Sequence, residues 1–193
     1  MASYKTVTSY STGKYIEKGS RFIAYAIHVV TEKEALEFIE GIRKEHHKAR
    51  HVCYAYTIGT KQEKYRVNDD GEQSNTAGQP ILSQIRKHDL KYIVVAVVRY
   101  FGGVLLGKGG LIQAYGKATS AALEVAEILE KHEMISRHMS FYISHYVSVI
   151  DLIKKNKLII VSENFDEEIC KLDYLTEPES AEKMELLLQK YCI

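Results

Sequence analysis

Apolar residues recur along this chain at two spacings. Alternating or unbroken apolar runs at about residues 4–10, 21–29, 52–58 and 92–100 have the length and residue types of strands. Between them the pattern changes to that of helices. One opens with the capping box "TEKE" (Thr31, Glu34) and carries Leu36, Phe38 and Ile39; a second covers about residues 82–88. A third runs from Leu111 through Ala114, Tyr115, Ala118, Ala121, Ala122 and Val125 to Leu129, its alanines suited to close packing on a sheet. After residue 132 the rhythm is simpler. Strand "HMSFYIS", a helix over 147–156, strands "LIIVS" and "EICKLDYL", and a helix opened by Thr176 and Glu179 give the order β-α-β-β-α. A ferredoxin-like domain needs one more strand, yet only Cys192 and Ile193 follow the last helical stretch, so the closing strand is missing, very short or replaced.

Composition sharpens this into two parts. The chain has 193 residues, 46% of them apolar, ample for a core. Residues 1–126 hold 18 Lys/Arg against 12 Asp/Glu, whereas residues 127–193 hold 8 against 13, and all 12 glycines lie at or before Gly116. An α+β protein of two domains, 1–132 and 133–193, is expected. No apolar run reaches membrane-spanning length and "MASYKTVTSY" lacks the core of a secretory signal, so no membrane partner and a cytoplasmic location are expected. The three cysteines, Cys53, Cys170 and Cys192, form no CxxC pair and are expected as free thiols.

Three stretches carry candidate chemistry. The first is "RYFGGVLLGKGGLIQAYG", residues 99–116. Gly102, Gly107 and Lys108 fit the first seven positions of a P-loop, but Gly109 stands where the Mg²⁺-ligating hydroxyl belongs. The dinucleotide pattern fails too, since Ile112 replaces its last glycine. What remains is an anion site made from glycine amides and a helix start near Gly110, with Arg99, Tyr100, Gly103 and Lys108 beside it, or else a set of tight structural corners. The second stretch holds Asp69, Asp70 and Glu72 around Gly71, with Arg66 before and Thr76 after; it reads as a weak Mg²⁺ site or an ordinary acidic turn. The third, "RKEHHKARHVCYAY", sets Arg50 and His51 beside strand tyrosines Tyr54 and Tyr56. Phosphate contact plus base stacking, or a solvated helix end followed by core tyrosines, both fit it. His47 and His51 could chelate a metal by spacing, but no third ligand stands at a recognised offset.

Four motifs in order, "GSRFIA" at Gly19, "ARHVCYAY" at Ala49, "NDDGEQSNTAGQPIL" at Asn68 and "VVRYFGGVLLGKGGLIQAYG" at Val97, resemble the signature of the Impact/YigZ family. The resemblance covers about residues 15–125; Gln73, Asn75 and Gln113 depart from its usual pattern. It implies a ribosomal-protein-S5 domain-2-like N-terminal domain and a ferredoxin-like C-terminal domain, as in bacterial-type members without the RWD domain. In eukaryotic members that RWD domain binds the activator of a translation-initiation kinase. The expectation is a non-catalytic protein regulating translation through RNA, the ribosome or a translation-associated protein, with no cofactor and no metal. Its surface would comprise Arg99, Tyr100, Gly102, Gly103, Gly107, Lys108, Gly109, Gly110, Arg66, Arg50, His51 and Thr76. The alternative is a Mg²⁺-dependent phosphate-handling enzyme or hydrolase using the glycine-rich loop and the acidic turn.

Overall fold

The computed structural model describes residues 3–60 and 63–193 and is a mixed α/β protein with antiparallel sheets. In chain order the elements are β1 (Ser3–Val7), β2 (Ser11–Glu17), β3 (Ser20–His28), α1 (Glu32–Glu45), β4 (His51–Ile58), β5 (Lys64–Asn68), α2 (Gly78–Lys87), β6 (Ile93–Tyr100), α3 (Gly107–Glu124) and β7 (Ile128–His132). They continue with β8 (Ile135–Tyr142), α4 (Tyr146–Lys155), β9 (Ile159–Asp166), β10 (Ile169–Thr176) and α5 (Pro178–Leu188). The chain divides into two compact units, Tyr4–Lys131 and His132–Ile193, the latter together with Ser3. Among the described residues no helix is long and apolar enough to cross a membrane.

The larger unit is built on a five-stranded sheet of order β2-β3-β6-β4-β5. Its central strand β6 is buried from Ile93 to Arg99 because both faces of the sheet are covered, which is why its sequence reads as a continuous apolar run. On one face Phe22, Ala24, Cys53, Val95 and Val97 pack under α2 and α3. On the other, Tyr25, Val52, Tyr54, Tyr56 and Val94 pack under α1 through Ala35, Ile39 and Ile42. Helix α1 starts where the capping box places it: Thr31 Oγ1 accepts from Glu34 N–H at 3.2 Å, and the Glu34 carboxylate accepts from Val30 N–H at 2.9 Å. Helix α3 lies against β2 so closely that a Cβ on Gly13 would stand 2.2 Å from Ala122 N. Strands β1 and β7 form a separate two-stranded sheet.

Three local expectations are corrected. Helix α3 ends at Glu124 instead of reaching Leu129; Val125 and Leu129 are exposed, and the chain goes on into β7. Helix α2 begins at Gly78, earlier than residue 82, for a reason given by the acidic turn below. Thr176 does not cap α5: it is buried at the end of β10, and Glu177 is the N-cap, with no side-chain hydrogen bond to the helix.

In the smaller unit the sheet order is β8-β10-β9, and Met139, Phe141, Leu172 and Tyr174 pack against Val149, Ile153, Met184 and Leu188 of the two helices. The closing strand is reduced to one antiparallel bridge, Phe141 with Cys192, and a hydrogen bond from Ile193 N–H to the Ser140 carbonyl at 3.0 Å. All three cysteines are free thiols.

Candidate functional site

At Tyr100 the chain leaves β6 and enters the glycine-rich loop. Its glycines serve different ends. Gly102 is required by packing: a Cβ there would lie 1.9 Å from the Gly19 carbonyl carbon, and its N–H donates to Ser20 Oγ at 3.0 Å, joining the loop to the β2–β3 turn. Gly103 and Gly107 turn the chain with φ of 90° and 68°, values that strain an L side chain. Gly109 has neither reason, since its φ lies outside the positive range and a Cβ there would meet nothing within 4 Å. Helix α3 begins at Gly107 without a side-chain cap and without an acidic residue in its first turn. The first N–H groups of a helix have no intrahelical acceptor. Here they emerge among exposed Gly107, Lys108 and Gly109 at the positive end of an 18-residue helix. Phe101, Val104 and Leu105 beside them are exposed, Leu105 by 83%.

The acidic turn is organised inward. The Asp69 carboxylate accepts from Ala77 and Gly78 N–H at 2.9 Å each and from Asn75 N–H at 2.8 Å. It thereby caps α2 from eight and nine residues upstream, which is why that helix starts at Gly78. The Asp70 carboxylate accepts from Val52 N–H at 2.7 Å and from both terminal nitrogens of Arg43 at 3.1 Å. Glu72 accepts from Arg99 at 2.6 Å and from the Tyr115 hydroxyl at 2.9 Å, and its side chain is 5% exposed. Each carboxylate serves a different protein partner, and among the described residues no group of three or more His, Cys, Asp or Glu side chains is arranged to hold a metal ion.

The sheet register explains what joins the turn. His51 and Arg99 are cross-strand partners on β4 and β6. The His51 ring donates from Nδ1 to the Asp70 carbonyl at 2.7 Å and holds Nε2 4.0 Å from Glu72. Arg99 is buried between Phe22 and Phe101, 5.6 Å from each ring centre, with its Nε unpartnered. Cys53 donates to the Asp69 carbonyl at 3.0 Å and sits 3.3 Å from the Tyr115 hydroxyl; burial pushes both that thiol and that phenol well above their ordinary range. Thr76 is buried and donates to the Gln73 carbonyl at 2.6 Å.

The expected surface residues therefore separate. Gly102, Gly103, Gly107, Gly109 and Lys108 are brought together and exposed, with Gly110 half-buried, whereas Arg99, His51 and Thr76 belong to the internal network. Arg50 is exposed at the start of β4, and Arg66 is exposed on the edge strand β5, opposite Tyr56 and separated from β6 by β4. Tyr54 and Tyr56 are buried beneath α1, so base stacking on them is excluded in favour of the core reading. Tyr100 belongs to a set that the sequence did not announce. Its hydroxyl and that of Tyr25 bond the two nitrogens of His46 at 2.8 and 2.6 Å, and the Arg21 guanidinium stands 5.1 Å over its ring. Burial, with Tyr10 and Glu45 nearby, pushes the Tyr25 phenol up to about 12. No local sequence pattern joins these residues, which the register of β3 on β6 brings together.

Comparison with known proteins agrees with the motifs. A family model described as the Impact N-terminal domain matches residues 18–123. The Bacillus subtilis protein named IMPACT family member YvyE is 37% identical over 178 residues, 92% of this chain and 82% of its own. Escherichia coli IMPACT family member YigZ is 43% identical over 108 residues, 55% of this chain and 53% of its own. A crystal structure of a hypothetical protein superposes with a TM-score of 0.74 and 28% identity, covering 98% of this chain and 93% of that one. The matched segment begins at the β2–β3 turn, holds the acidic turn and the glycine loop, and ends inside α3; by it, this chain belongs to the Impact family.

Proposed function

We propose that this protein is a non-catalytic, cytoplasmic regulator of translation that grips the phosphates of RNA, free or in the ribosome, at the start of α3. The translational setting follows from the family resemblance, and the mode of contact from the loop. One observation carries it: Gly109 is a glycine in the first helical turn with neither a positive φ nor a neighbour that forbids a side chain. Glycine there disfavours the helix by up to about 1 kcal/mol relative to alanine. What it provides is room for an anion to reach the uncapped amides, with exposed Lys108 adding charge. Arg99 supports the loop from beneath through Glu72 and Phe101 instead of reaching phosphate itself.

Within this reading the larger unit has the ribosomal-protein-S5 domain-2 architecture and the smaller is ferredoxin-like. The β8-α4-β9-β10-α5 order and the arrival of Cys192 at the outer edge of β8, where a fourth strand would lie, support the second assignment. A phosphate-handling enzyme fits less well. The Mg²⁺-binding hydroxyl of a P-loop is replaced by Gly109, and the three carboxylates of the turn are engaged by backbone amides, Arg43 and Arg99.

The test is fluorescence anisotropy with a single-stranded RNA oligonucleotide over a range of salt. Each phosphate contact contributes a slope of about −0.7 in log affinity against log salt. Lys108→Ala is expected to weaken binding at low salt and flatten the slope by about that amount. An unchanged slope in Lys108→Ala, or no binding by the parent protein at low salt, would overturn the proposal.

A further inference from the structure

Phe101 is the first residue past β6, and its ring is held from beneath. Glu72 accepts from Arg99 at 2.6 Å and from the Tyr115 hydroxyl at 2.9 Å, so one carboxylate fixes both the guanidinium and the phenol. The Tyr115 ring packs edge-on against Phe22, with ring centres 5.0 Å apart. Arg99 stands over Phe22 and over Phe101, 5.6 Å from each ring centre. Tyr115, Phe22, Arg99 and Phe101 therefore form a column that rises from the core to the surface. Its first three members are buried, whereas Phe101 is 47% exposed. Because the guanidinium covers one face of that ring, the exposure lies on the side away from it.

The surroundings of this ring are basic. No Asp or Glu occurs between residues 97 and 116. Lys18 is exposed in the β2–β3 turn, which lies beside the loop: a Cβ on Gly19 would stand 3.1 Å from the Gly102 carbonyl oxygen. Arg21, also exposed, stands 5.1 Å over the ring of neighbouring Tyr100, and Lys108 follows within the loop. An open aromatic face among positive charges matches the two parts of a nucleotide, a base with a π-face and a phosphate. An apolar side chain of a protein would use the ring and leave the charges idle; a free phosphate would use the charges and leave the ring idle.

We infer that the outer face of Phe101 is a base-stacking platform for single-stranded RNA. The inference rests on the RNA reading above and deepens it: the first turn of α3 takes a phosphate, and Phe101 takes a base of the same strand. Six residues lead from Phe101 to Gly107, at most about 20 Å of chain. That distance is within the several nucleotides that single-strand sites accommodate. Stacking on the ring selects for the presence of a base and not for its identity, since every base has a π-face. The column beneath matters because a ring already fixed loses little freedom when a base settles on it.

The test uses the full chain with a single-stranded RNA oligonucleotide and an abasic strand of the same length, which keeps the phosphates and lacks the bases. The parent is expected to bind the RNA about tenfold more tightly than the abasic strand. Phe101→Leu keeps an apolar cover over Arg99 but has no π-face. It is expected to bind RNA about tenfold less tightly than the parent, with an unchanged salt slope, and to bind the abasic strand like the parent. The chain has no tryptophan, so Phe101→Trp places a single one at the site. Its fluorescence should be quenched saturably by RNA and not by the abasic strand. Parent-like RNA binding by Phe101→Leu, an equal loss for both strands, or RNA binding by Phe101→Trp without quenching would overturn the inference. If Lys108→Ala still flattens the salt slope in those cases, the phosphate reading stands without it, and the ring is left to a protein contact. Quenching of Phe101→Trp by RNA with a slope that Lys108→Ala does not change would support the stacking and overturn the phosphate reading. No RNA binding by the parent would overturn both.

Discussion

The acidic turn at residues 68–78 and the glycine loop at residues 101–110 both carry residue types that bind ions, and they direct them oppositely. In the turn the charged groups face inward: Asp69 caps α2, Asp70 holds Val52 and Arg43, and Glu72 neutralises Arg99. In the loop the side chains other than exposed Lys108 are small or apolar and the backbone faces out, through the uncapped first turn of α3. The two meet at Arg99, which is tied to the turn by Glu72 and lies under the loop against Phe101. A cluster of charges in a sequence is thus no measure of an exposed site. A carboxylate becomes a ligand only if the fold leaves it without internal donors, and here each has two or more.

The sharpest way to break this comparison is to empty the inward network. Glu72→Ala leaves the buried Arg99 guanidinium without its counterion and the Tyr115 hydroxyl without its acceptor. Removing one member of a buried pair costs about 3–5 kcal/mol. Chemical denaturation should show a loss of that size, and a loss under about 1 kcal/mol would mean that solvent reaches Arg99 and that the turn is a surface feature after all. The next effect tests the loop's own anchoring. Gly102→Ala places a methyl on the backbone of Gly19 and Ser20, and overpacking of this kind costs about 1–3 kcal/mol. A thermal midpoint equal to that of the parent would show that the β2–β3 turn yields freely.

How much of this was legible in the sequence depends on how local the cause is. The strands now seen as β3, β4 and β6 stood out as apolar runs, and α1 through its Thr31 and Glu34 cap, because burial and capping act within a few residues. Strand β2 does not stand out: its inward positions include Ser11 and Gly13, the latter small because α3 lies directly on it, so no apolar alternation is left to read. Strand β5 is an edge strand with an exposed "KYR". Overextension of α3 to Leu129 has the same origin, since β7 exists by pairing with β1 from the far end of the chain. At the site, the glycines and Lys108 could be picked out by type, but which glycines are needed by the fold could not. That follows from the approach of residue 19 to residue 102, which is non-local. The Tyr25–His46–Tyr100 group was invisible for the same reason.

The smallest effect on stability is the most telling about the loop. Gly109 and Gly41 are both helical glycines with no atom within 4 Å of a would-be Cβ. They differ in their amides. Gly41 lies inside α1, where its N–H is within reach of an intrahelical acceptor, whereas the N–H of Gly109 belongs to the first turn of α3 and has none. Replacing either by alanine should therefore leave the protein as stable as the parent or more so, by up to about 1 kcal/mol, with the smaller gain at Gly109 because helix ends fray. RNA binding should distinguish them. Gly41→Ala is expected to bind like the parent. Gly109→Ala should bind less tightly, and Gly109→Leu less tightly still, because its side chain covers the amides that an anion would approach. Thermal melts and anisotropy titrations on the three variants separate the outcomes. If all three bind RNA alike, the open space at Gly109 has no bearing on recognition, and the loop is an exposed corner like the middle of α1.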